Sequence, residues 1–122
     1  MMVLKKNNPH QGDIWLFDPD QVKGNEIGKK VRPALIVSCN SLNMGPAELV
    51  IVVPITSKDK GIPSHIRIEP PNGGVKVASF AMCEQIRAIS KERLVKKLGT
   101  VHSVQILKAV NSWLVDLIWI EL

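Results

Sequence analysis

The chain has 122 residues, 45% of them hydrophobic, in short apolar runs divided by Gly, Pro and Asn. That length supports one apolar core and not two, and the composition excludes an intrinsically disordered polymer. Sixteen Lys and Arg against eleven Asp and Glu leave a formal charge of +5, which suits a polyanionic partner and predicts salt-sensitive binding if that partner is nucleic acid.

Residues 1–11, MMVLKKNNPHQ, read as a flexible basic tail whose apolar start is too short for a signal-peptide core, and residues 12–122 as one domain. GDIWLF (12–17) predicts a first strand, and residues 18–31 a long polar loop. PALIVSC (33–39) predicts a strand with Pro33 at its tolerated first position. After a short turn, ELVIVVPITS (48–57) reads as a strand apolar on both faces, one expected to fill a barrel and the other to meet a partner. KDKGIP (58–63) is a second basic loop, SHIRIE (64–69) an alternating strand, and PPNGG a turn. VKVASFAMCEQIRAI (75–89) predicts one long or bent strand, and SKERLVKKLG a helical turn running into a short strand near 98–101.

The period then changes. Val104, Leu107, Val110, Leu114 and Leu117 recur at helical spacing, widened by Ile106, Trp113 and Ile118, with Ser103 as N-cap. Trp113 and Trp119 belong by position to this helix, hence to core or interface. The fold class expected is therefore mainly β with a C-terminal helix, a small, partly open antiparallel barrel. Cys39 and Cys83, set among apolar neighbours in expected strands, read as buried thiols and lack metal-site spacing. His10, His65 and His102 show no metal spacing either. The closing WLVDLIWIEL is short and interrupted by Asp116, so no membrane span is expected, and the protein is expected to be cytoplasmic.

Chemistry concentrates at Arg32-Pro33. A guanidinium is planar, permanently charged and suited to paired phosphate oxygens, and the proline biases Arg32 to extended geometry that fixes its aim. Thr56 ends the apolar strand, where its hydroxyl can bond a phosphate oxygen or cap the following turn.

With GDIWLFDP (12–19) in front, the stretches GNEIGKKVRPALIVS (24–38), VVPITSKDKG (52–61) and CEQIR (83–87) resemble, in the same order, the MazF/PemK family of toxins from type II toxin–antitoxin pairs. The resemblance implies a homodimeric SH3-like barrel of the CcdB/MazF type. It implies cleavage of single-stranded RNA by 2′-hydroxyl attack with no metal or cofactor, and inhibition by a cognate acidic antitoxin. It marks Arg32 and Thr56 as catalytic, with Glu26 and Glu84 as rival candidates for proton transfer. Asn25 stands where PemK relatives often carry His, and Met82 where some carry Arg. Lys29, Lys30, Ser57, Lys58, Lys60, His65 and Arg87 are candidate RNA contacts, although Glu84 and Arg87 also fit a structural ion pair. Trp15 and Phe17 are the aromatics expected near the site. Two other functions fit the chain: a CcdB-like gyrase poison acting through the apolar, Trp-containing C-terminus, and a non-catalytic barrel binding RNA or a peptide.

Overall fold

The structure is a computed structural model that describes residues 8–19 and 30–122. In chain order it contains strands β1 (Asp13–Phe17), β2 (Arg32–Ile36), β3 (Leu49–Thr56), β4 (His65–Ile68), β5 (Ser79–Met82), β6 (Arg87–Ser90) and β7 (Leu94–Thr100). Helix α1 (Asn40–Asn43) lies between β2 and β3, and α2 (Val104–Ile118) follows β7. All pairings are antiparallel, in the order β4-β5-β3-β2-β1-β7 with β6 also on β3. Among the described residues β4 and β7 do not pair with each other, so the sheet is curled and open.

β3 has a partner on both edges. β2 runs along one. On the other, residues 49–52 pair with β6, while Ile55 and Thr56 pair with Ala81 and Phe80 of β5. The break falls opposite Val53 and Pro54, where the chain leaves the ladder in a 3₁₀ turn, Cys83–Gln85. Proline has no N–H to give a neighbouring strand, so the gap sits beside the residue least able to fill it. The single strand expected over 75–89 is therefore two strands and a turn.

Alternation along β3 sends its side chains into two apolar clusters. Val50 and Val52 join Trp15, Phe17, Ala34, Ile36, Ile89 and Leu94 in one. Val53 and Ile55 join Ile14, Leu35, Ala81, Cys83 and Val110 in the other, against which α2 lays Ile106, Leu107, Trp113 and Leu114. Val53 and Ile55, on the face of β3 expected to meet a partner, are thus taken up in a cluster against which this chain's own helix packs. Ser103 Oγ accepts the Ile106 N–H at 3.2 Å and caps α2 as expected. The outer part of the expected stripe is not seated: Val104, Leu117 and Ile118 are exposed, as is Trp119.

Three local readings change. The turn after β2 contains α1, with Cys39 at its N-cap, and the Cys39 thiol is exposed rather than buried. Cys83 is buried, and burial together with the Glu84 charge pushes its thiol up to about 11. β7 pairs with β1 over most of its length and is longer than the short strand expected, following a 3₁₀ turn at Lys91–Arg93.

Asp13 ties the first and last strands together. Its Oδ2 accepts the His10 N–H at 2.8 Å and the Trp15 indole N–H at 3.2 Å. Its Oδ1 accepts the Thr100 hydroxyl at 2.8 Å and lies 3.4 Å from Lys97 Nζ. Burial alone would raise this carboxyl's pKa. The donors from His10, Thr100 and Trp15 and the charge of Lys97 outweigh it and hold the group below the ordinary carboxylate value. A lowered folded-state pKa stabilises above the unfolded value, and that contribution is lost as pH falls through the folded one. Asp13→Ala leaves the buried donors without an acceptor and is expected to cost roughly 1–3 kcal/mol at neutral pH. Thermal melting checks it: the deficit should shrink below about pH 4, and a wild-type melt at pH 7 would contradict the assignment.

Candidate active site

The register of β2 on β3 runs Ala34 to Pro54, Leu35 to Val53 and Ile36 to Val52. Carried two residues outward, it sets Arg32 across from Thr56 at the end of both strands. Thr56 in turn pairs with Phe80, and Phe80 with Arg67, whose guanidinium lies 5.6 Å from the ring centroid. Neighbouring strands are about 4.8 Å apart, so Arg32, Thr56, Phe80 and Arg67 form one row across four strands.

A groove of about 490 Å³ opens here. Three stretches of chain bound it: Arg32 with Pro33, Thr56 with Ser57 and Lys58, and residues 74–77, which bring Lys76. Ile55, Val75 and Leu98 supply apolar lining. Arg32, Lys58 and Lys76 are exposed, and among the described residues no Asp or Glu lines the groove. Three cations without an opposing acid repel one another and raise the local concentration of anions. Thr56 Oγ1 accepts the Lys58 N–H at 3.1 Å, so it does cap the following turn. That bond pins the oxygen and leaves the hydroxyl proton to be donated elsewhere.

Glu84 is not in this groove. It sits on the 3₁₀ turn, four residues past Phe80, and its Oε1 accepts the Ser64 hydroxyl at 2.5 Å while Oε2 lies 2.7 Å from His65 Nε2. Burial raises its pKa, but the Ser64 and His65 hydrogen bonds, its own backbone N–H and the His65 charge lower it by more. The result is a clamp between the turn and β4, and a weaker base than an ordinary glutamate. The ion pair with Arg87 considered from sequence does not form; Ser64 and His65 take that carboxylate instead.

His65, expected as a surface contact, has a side chain only 3% exposed, and its Nδ1 is buried without a hydrogen-bond partner. Arg87 is exposed but pairs with Val52, four residues from Thr56 along β3, or about 13 Å. Lys30 and Lys60 are exposed and stand outside the groove lining, whereas Ser57 and Lys58 are part of it. Glu26, Asn25 and Lys29 lie outside the described residues. Trp15 and Phe17 are buried in the core, and the aromatic beside Thr56 is Phe80. Among the described residues no three His, Cys, Asp or Glu side chains gather as a metal-binding group, and no helix is long and apolar enough to cross a membrane.

Lys76, Arg67 and Phe80 were not singled out by the sequence. Alternation offered a faint signal, since Lys76 is the polar residue between Val75 and Val77, but nothing in the order of residues says which groove it borders.

Fold and groove together define a small, curled β protein with a cationic cleft at the end of its central strand. A family model described as PemK-like, MazF-like toxin of type II toxin–antitoxin system matches residues 10–118, and the chain belongs to that family. It is similar to Endoribonuclease MazF9 of Mycobacterium tuberculosis, 34% identical over 101 residues that cover 79% of this chain and 85% of the relative. Among solved structures, MazF from Deinococcus radiodurans superposes with a TM-score of 0.76 at 24% identity, covering 94% of this chain and 100% of the other. An endoribonuclease in complex with its cognate antitoxin from Mycobacterial species gives 0.73 at 22% identity, over 93% and 98%. At these identities the two structures speak for the shared fold.

Glu84→Gln separates a clamp from a bystander. Because its folded pKa is lowered, the carboxylate stabilises the fold above the unfolded value of about 4.3 and loses that contribution as pH falls through the folded one. The variant should melt below wild type at pH 7, with the gap closing as pH falls below the unfolded value; equal melting at pH 7 would rule the clamp out.

Proposed function

We propose that this MazF-type toxin is an endoribonuclease that cuts single-stranded RNA, sequence-selectively and without metal, at the Arg32 and Thr56 groove. The observation that carries the reading is the register that sets Arg32 across from Thr56, in a cleft edged by cations and lacking a described carboxylate. RNA supplies its own nucleophile. A base takes the ribose 2′ proton, the 2′-oxygen attacks the adjacent phosphorus, and the 5′-oxygen leaves with a proton from an acid. The products are a 2′,3′-cyclic phosphate and a 5′-hydroxyl.

The difficulty in that step is charge gathering on the non-bridging oxygens. Arg32 meets it with two parallel N–H donors, and the Thr56 hydroxyl donates a third bond that holds the phosphate in line. Glu84 is committed to Ser64 and His65, which leaves Glu26 as the carboxylate assigned to proton transfer. The wild-type pH–rate profile should accordingly survive Glu84→Gln and lose a titrating limb in Glu26→Gln.

The partners proposed are single-stranded RNA, an acidic cognate antitoxin and a second copy of the chain, all in the cytoplasm. Support for a homodimer comes from the far end of α2, where Val115, Ile118, Trp119 and Ile120 are each more than half exposed, an apolar surface that a second copy would cover. Sedimentation should give a dimer for wild type and a monomer for Ile118→Glu. A monomeric wild type would overturn this part alone.

The test of the activity is a defined RNA incubated in EDTA, followed by end-group analysis. Cyclic phosphate and 5′-hydroxyl ends are expected, and intact RNA at every protein concentration would contradict the enzyme and favour the binding barrel. Arg32→Ala and Thr56→Ala should each slow cleavage by roughly 10²–10³ while the protein stays folded, Thr56→Ala losing only the small stability of its turn cap. Wild-type rates in both would place the chemistry elsewhere.

A further inference from the structure

We propose that Lys76 is a substrate-positioning residue: it binds a phosphate of the RNA next to the one that is cut. The inference rests on the ribonuclease reading and deepens it, by assigning a role to residues 74–77, which line the same groove as Arg32.

The first observation is how tightly that stretch is set. The 3₁₀ turn Asn72–Gly74 ends on two glycines with φ of +63° and +80°, which L side chains rarely adopt. A Cβ on Gly74 would stand 2.2 Å from the Leu98 carbonyl oxygen, and one on Gly99 would stand 2.7 Å from the Gly73 carbonyl carbon. The turn therefore lies with its backbone directly on β7. Beyond it, Val75 is buried in the core, and the Ser79 hydroxyl donates to the Val77 carbonyl at 2.8 Å. Both ends of the short stretch are fastened, and Lys76 is the first residue past the buried anchor.

The second observation is charge. Lys76 is exposed and borders the same groove as Arg32 and Lys58, and among the described residues no carboxylate pairs with it. Arg67, by contrast, is already bonded to Glu69. A lysine used only for solubility has no need of a glycine-packed, doubly anchored backbone. One used to hold a polyanion gains from it, because the cation is delivered to a fixed place and little ordering remains when the ligand arrives.

Arg32 and Thr56 can engage only one phosphate at a time. A single strand lying in the groove brings a neighbouring phosphate to another part of its lining, where Lys76 meets it as a point charge. Such a contact serves bound substrate and transition state alike, so it acts on binding and not on the chemical step.

Lys76→Gln is the test, with Lys76→Arg as the charge-restoring variant and Lys108→Gln, on the exposed side of α2, as the control. Binding is measured with a labelled 2′-O-methyl RNA, which has no nucleophile, across roughly 50–200 mM salt. Cleavage of the unmodified RNA is measured under single turnover. Lys76→Gln should weaken binding and flatten the slope of log K against log salt by about 0.7, the share of one phosphate on a single strand. The rate at saturating RNA should stay at the wild-type value, Lys76→Arg should restore the slope, and Lys108→Gln should match wild type. If wild type binds and cuts RNA while Lys76→Gln binds with the same affinity and slope, the assignment is wrong and the ribonuclease reading stands. A loss of rate at saturation with unchanged binding also overturns it. If wild type neither binds nor cuts, the ribonuclease reading falls and the assignment falls with it.

Discussion

Strand β3 is held on all four sides, and the rest of the molecule is arranged around that. β2 occupies one edge and β6 and β5 share the other. One face fills the cluster around Trp15 and Phe17, while the other meets the cluster closed by α2. A strand so constrained has no freedom of register, because a slip of one residue would exchange the two faces and strand Val50 and Val52 in the wrong core. Its last residue, Thr56, inherits that precision. The site is built at the end of the strand that is paired on both edges, where the chain next becomes exposed at Ser57.

This origin explains why a single threonine and a single arginine can supply the charge-stabilising donors of the proposed chemistry. Each is fixed by backbone pairing and not by a network of side chains. Pro33 biases Arg32 to extended geometry, and the Lys58 N–H pins the Thr56 oxygen at 3.1 Å. Donors placed in advance need not reorganise as charge develops, which is the main electrostatic advantage of a folded site over water. Leaving the described lining without a carboxylate has a related effect, since no internal partner must be displaced before a phosphate can bind.

How far this was readable depends on the range of the interaction involved. Most strands announced themselves as short apolar runs, one of them alternating, and the helix by its period and Ser103. Arg32-Pro33 stood out locally and Thr56 through the family resemblance of its motif, and the register of β2 on β3 sets the two at neighbouring strand ends. The break at Cys83–Gln85 was hidden, because its cause is the division of β3 between two partners and the apolar run FAMC continues smoothly into the turn. Glu84 looked available for catalysis for the same reason: its donors, Ser64 and His65, come from 20 and 19 residues away. Helix period gave the right element and the right face, but the ends of the stripe, Val104, Leu117 and Ile118, stay exposed. Lys76 was marked only as a polar residue between two valines, because its setting depends on glycines packing on β7.

The central claim is that Arg32 and Thr56 act together on one phosphate. A double-mutant cycle in single-turnover cleavage tests it most directly, comparing wild type, Arg32→Ala, Thr56→Ala and the double variant. If the two residues hold the same group, the double variant should be scarcely slower than the worse single one. Full multiplication of the two losses would mean that they act at separate places, and would contradict a site built on their shared register.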